Sequence, residues 1–148
     1  MTCTFIGHRD APNKIKLSLK EAILYVIEKE RIEKFLVGNN GSFDFYAQCA
    51  LRELKEERPT ICFDIVLSRL DEKVISENQG ETLFPAGLET ALPKFAISKR
   101  NNWLINNSSI LIAYAKYRIS NSGKWLERAS KKGLKIINLA DENNKFWE

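Results

Sequence analysis

Long apolar runs, paired cysteines and clustered histidines are all missing from this sequence, and each absence excludes something. No apolar run much exceeds that from Ile110 to Tyr114, whereas a membrane-spanning helix needs about 20 such residues. The opening residues, Met1 to Ile6, lack a charged lead and a long apolar core, which argues against a signal peptide. A soluble, cytoplasmic protein with no membrane partner is therefore expected. Cys3, Cys49 and Cys62 are odd in number and form no C-x-x-C pair, and His8 is the single histidine. Buried, reduced thiols are expected, and no metal site. Neither G-x-G-x-x-G nor a P-loop occurs, and no hydrolase motif accompanies His8, so standard dinucleotide, Walker-type and nucleophilic-triad sites are not supported. Internal repeats, linkers and low-complexity segments are absent too.

What remains is an ordinary globular composition. The 148 residues are 44% hydrophobic and 28% charged, enough for one compact domain without disulfide or metal staples. Lysine and arginine total 23 against 19 acids, a net charge of +4 that suits an anionic ligand. The basic residues are interleaved with acids, as in Glu28, Lys29, Glu30 and Arg31, which reads as a solvated helix face. Nucleic-acid binding is not expected from such a pattern.

Strand and helix signals alternate along the chain. Thr2 to Ile6 is β-branched and aromatic and stops at Gly7, predicting a first strand. Ser18, Leu19, Lys20 and Glu21 have capping-box spacing, which predicts that a helix begins there. Phe35, Leu36 and Val37 read as a second, wholly apolar strand of the kind buried in parallel sheets. Residues 38–42 turn the chain into a helix striped with Phe43, Ala47, Ala50, Leu51 and Leu54. Residues 60–67 predict a third strand. From Asp71 to Leu92 no periodicity stands out, and Gly80, Pro85 and Gly87 point to a long excursion with at most a short helical turn. Residues 95–107 predict a helix, Ile110 to Tyr114 a strand, residues 123–132 a helix closed by Gly133, and residues 134–139 a last strand. A tail from Ala140 ends in Phe146, Trp147 and Glu148, which either docks by its aromatics or frays.

Such alternation predicts an α/β fold: a mainly parallel, five-stranded sheet covered on both faces. Ligands of such sheets bind beyond the carboxyl ends of the strands, where strand order reverses. That rule selects three segments. Residues 38–42 (Gly38, Asn39, Asn40, Gly41, Ser42), continuing to Asp44, combine close backbone approach with helix amides that attract anions, or form an ordinary strand-to-helix turn. Gly7, His8, Arg9 and Asp10 offer a planar fork and an imidazole, unless Asp10 simply pairs Arg9. Ser120, Asn121, Ser122 and Gly123 follow the Tyr114 strand. Arg100, in line with Trp103, Leu104 and Asn107, is either a snorkelling surface residue or one aimed into a polar cleft. Glu127, read alone, is a solvated partner of Lys131.

Three stretches carry a resemblance: residues 3–9 (CTFIGHR), residues 37–44 (VGNNGSFD) and residues 96–103 (AISKRNNW). Together with residues 83–89 (LFPAGLE), they resemble the SLOG superfamily, in particular its small bacterial YpsA-like members, over about residues 3–139. The resemblance implies a Rossmann-like three-layer sandwich that binds a nucleotide or nucleotide-derived molecule and needs no further cofactor. The superfamily includes LOG-type phosphoribohydrolases, which cleave the N-glycosidic bond of nucleoside monophosphates. Laid on their pattern, Arg100 takes the catalytic arginine position and Glu127 the catalytic glutamate position. Ser120, Asn121 and Lys124 depart from the glycine-rich phosphate loop of those enzymes. The departures favour a binding or sensing domain for a phosphate-bearing, nucleotide-like small molecule, with Tyr114 added to the ligand-binding set. The alternatives are a LOG-type N-glycosidase and a DNA-processing accessory or scaffold module. The chain is also compatible with homo-oligomerisation.

Overall fold

The computed structural model describes residues 1–78 and 81–141. The elements run β1 (Thr2–Gly7), a 3-10 turn (Asn13–Ile15), α1 (Lys16–Lys29), β2 (Lys34–Val37), α2 (Ser42–Glu57), β3 (Cys62–Val66) and α3 (Glu72–Glu77). There follow β4 (Thr82–Leu83), a second 3-10 turn (Leu88–Thr90), α4 (Pro93–Asn106), β5 (Ile110–Tyr114), α5 (Asn121–Lys131) and β6 (Lys135–Asn138). The strands form one sheet in the order β4-β3-β2-β1-β5-β6, and every pairing is parallel. The α/β fold is as expected, with six strands in place of five.

Alternation within β1 shows how the layers are divided. Cys3 and Phe5 pack on one face with Leu19 and Ile23 of α1 and with Ala47 and Leu51 of α2. Ile6 turns to the other face and packs with Ile105 of α4 and Ala129 of α5. The larger core cluster therefore lies under α1 and α2, where Phe5 and Phe35 stack with centroids 6.1 Å apart. Strand order reverses between β1 and β5, and the carboxyl ends of those strands carry Gly7 and Tyr114 side by side.

Three local expectations are corrected. Ser18 does not cap a helix: the 3-10 turn after Pro12 runs directly into α1, so the backbone is already helical there. The excursion from Asp71 contains a true helix, since the Asp71 carboxylate accepts the N–H groups of Lys73 and Val74 and so caps α3. It also contains β4, an edge strand of two residues paired with Ile65 and Val66, too short to leave a periodic signal. The aromatic tail and Gly80 lie outside the described residues.

The thiols also divide. Cys3 is fully buried in β1, whereas Cys49 on α2 and Cys62 at the start of β3 are exposed, contrary to the uniform burial expected. Burial pushes the Cys3 thiol well above its ordinary pKa, which suppresses the reactive thiolate. A thiol reagent should titrate two groups in the native protein and the third only after denaturation. Three equally fast groups would contradict this placement.

Candidate functional site

The loops after β1 and β2 meet backbone to backbone. Gly41 has φ +96°, and a Cβ there would lie 2.6 Å from the Arg9 Cα. That approach lets the Ser42 N–H donate to the Arg9 carbonyl at 2.8 Å. At Gly38 a Cβ would fall 2.5 Å from Nη1 of Arg100 and 2.6 Å from Oδ2 of Asp44. The end of β2 thus makes room for a buried charge pair brought from α2 on one face and α4 on the other.

Arg100 is only 4% exposed. Its Nη1 donates to Asn40 Oδ1 at 2.8 Å and its Nη2 to Asn101 Oδ1 at 2.9 Å. Asp44 Oδ2 lies 4.0 Å from Nη1 and accepts the Asn40 N–H at 2.9 Å. The buried Arg100 Nε has no partner among the described residues. Burial pushes the Asp44 carboxyl above its ordinary value, opposed by Arg100 and by the Asn40 amide. It pulls the Arg100 guanidinium below its own, opposed by Asp44. At 4 Å the attraction is about 4 kcal/mol with an effective dielectric near 20. Desolvation costs several kcal/mol for each ion, so the pair is a poor source of net stability.

These groups line a cleft of about 560 Å³ at the switch point between β1 and β5. It collects Gly7, His8, Arg9, Asp10, Asn40, Asp44 and Arg100 with Asn121, Ser122, Lys124, Trp125 and Arg128 of α5. Arg9 and Lys124 have no carboxylate within 4.0 Å among the described residues, so Asp10 does not pair Arg9. Arg128 lies 4.9 Å over the Trp125 ring and donates to Asn102 Oδ1 at 2.9 Å. His8 is committed to the scaffold. Its Nε2 accepts the Lys116 N–H at 2.8 Å, and its ring meets Tyr114 edge-on at 5.5 Å.

Several candidates hold the walls rather than face the cleft. Tyr114 is buried beside His8 and Phe43. Ser120 caps α5, its Oγ accepting the Gly123 N–H at 3.1 Å and donating to the Tyr117 carbonyl at 2.5 Å. The amides of Asn40 and Ser42 serve Asp44 and Arg9, so two amides of the expected cradle at residues 38–42 are used internally. Asn39 and Gly41 line a separate depression with Gln48 and Arg52. The first turn of α5, by contrast, leaves the Asn121 and Ser122 amides without intrahelical partners at the cleft. Glu127 is exposed and does not line the cleft; its Oε1 lies 3.5 Å from Lys131 Nζ, the solvated pairing that the sequence suggests by default.

Sequence reasoning passed over Lys124, Trp125 and Arg128 as site residues. Their signal was available: with Asn121 they recur at helical spacing along one face of α5. Among the described residues no group of three His, Cys, Asp or Glu side chains could hold a metal ion, and no helix is long and apolar enough to cross a membrane. Comparison with protein-family models and with curated proteins finds no match for this chain.

Proposed function

We propose that this cleft binds a nucleotide or nucleotide-derived, phosphate-bearing ligand, as the resemblance to the SLOG superfamily implies, and that the protein is a binding or sensing domain. The observation that carries this reading is Arg100, buried to 4% exposure at the switch point with an unused Nε. Around it Arg9, Lys124 and the open amides of α5 supply donors for an anion. Trp125 offers a flat surface for a base. The N-glycosidase alternative needs a carboxylate at the sugar, and Glu127 stands outside the cleft.

Calorimetry and thermal shift with AMP, GMP, NAD and ADP-ribose test the reading. At least one should give saturable heat, and Lys124→Glu should weaken it roughly 10-fold or more through loss of a charge-assisted bond. Glu127→Gln should leave the affinity within about twofold, since its carboxylate faces Lys131 in solvent. No heat and no thermal shift with any of the four would defeat the reading. Release of free base from nucleoside monophosphates, abolished by Glu127→Gln, would establish the glycosidase instead.

A further inference from the structure

The cleft continues past Arg9 into a second lobe of about 530 Å³, over the ends of β3 and β4. Arg9, Asn40 and Ile97 line both lobes, so the two adjoin with Arg9 at the waist between them. The floor of the second lobe is largely apolar, built from Phe84, Leu88 and Ala96. Exposed Arg69 and Glu89 also line the lobe, and Ser68 breaks the floor. Ser68, just beyond β3, is 8% exposed and lines the lobe. Its hydroxyl can donate to or accept from a group that enters the lobe.

Each lobe falls in the size range that takes a small-molecule head on its own. A mononucleotide occupies one and leaves the other empty. The waist carries the donor chemistry of a phosphate bridge: the unpaired Arg9 guanidinium, which can grip two phosphate oxygens at once, and the Asn40 side chain. We propose, building on the nucleotide reading above, that the ligand is a diphosphate-linked dinucleotide. Its first nucleoside lies against Trp125, its diphosphate at Arg9, and its second nucleoside over Phe84 and Leu88 with a polar edge on Ser68. A floor of Phe84, Leu88 and Ala96 with Ser68 beside it suits a flat heterocycle, whose faces are apolar and whose edge is polar.

Titration calorimetry with two series separates the cases: AMP, ADP and NAD; and GMP, GDP and diguanosine diphosphate. In one series the two-headed compound should bind the wild type at least 10-fold more tightly than the nucleoside diphosphate. Ala91→Trp, placed at the half-buried rim of the second lobe, should bring the two-headed compound within threefold of the diphosphate while leaving the mono- and diphosphate affinities unchanged. Ser68→Ala, which removes one hydroxyl, should weaken the two-headed compound alone. Mono- and diphosphates that bind as tightly as the two-headed compounds would overturn this inference and leave the nucleotide reading standing. So would variants that weaken every compound equally. Heat from none of the six overturns both.

Discussion

Arg100→Ala should destabilise the protein by about 3–5 kcal/mol at neutral pH, the usual cost of leaving a buried charge without its partner. In this variant the Asp44 carboxylate remains, desolvated and held by only the Asn40 amide. The pH dependence identifies the cause. Burial already raises the Asp44 carboxyl, and Arg100 is the larger of the two influences holding it down. Without Arg100 it rises further. A carboxyl whose folded pKa exceeds its unfolded value contributes stability below the unfolded pKa and loses it as pH rises through the folded one. The deficit of Arg100→Ala relative to wild type should therefore be smaller at about pH 4 than at about pH 7.5. Replacing both residues by leucine should recover more than half of the loss, because an apolar pair leaves no stranded charge. Urea denaturation at the two pH values decides it; a deficit under about 1 kcal/mol, or one equal at both, contradicts the coupling. On the proposed function the same variant also weakens nucleotide binding by about 10- to 100-fold.

The second large effect belongs to Gly41→Val. At φ +96° and ψ −177° Gly41 occupies backbone space that is essentially glycine's alone, which costs a side-chain-bearing residue about 1–3 kcal/mol, and overpacking against a fixed neighbour adds about 1–3. Here the neighbour is the Arg9 main chain, which cannot rotate away. A loss of about 2–6 kcal/mol is expected, together with a loosened waist between the lobes. Gly133→Ala separates the two contributions. Gly133 has φ +90° but nothing within 4 Å of its missing Cβ, so it reports strain alone, at about 1–2 kcal/mol. Equal losses for the two variants would mean that the loops after β1 and β2 are not in the contact described.

Much of the fold was readable because parallel strands are buried on both faces and therefore apolar throughout. Phe35 to Val37 and Ile110 to Tyr114 announce themselves in that way. β4 does not, since two edge residues carry no pattern. The switch-point rule found the loops that meet at the cleft, yet could not say which donors within them are already used. Asn40 was legible as a candidate, but its amide is spent on Asp44 while its side chain anchors Arg100. Glu127 was placed by resemblance alone. At about 100° per residue the helix turns it away from the face shared by Asn121, Lys124, Trp125 and Arg128, and phase prevails over motif position.

β1 lies at the centre of the sheet, between β2 and β5, with Cys3 aligned to Phe35 on one side and to Ile110 on the other. A chain emerging from the ribosome can pair β1 through β4 early. One flank of β1 then waits for more than half of the sequence before its last neighbour arrives. During that interval Cys3, Phe5 and Ile6 border an open strand edge, the arrangement most prone to mispairing with other chains. Arrival of β5 closes the edge and, in the same event, creates the crevice between β1 and β5. The cleft is thus a late product of synthesis, and a nascent chain that already holds most of its core lacks it until the sheet is sealed.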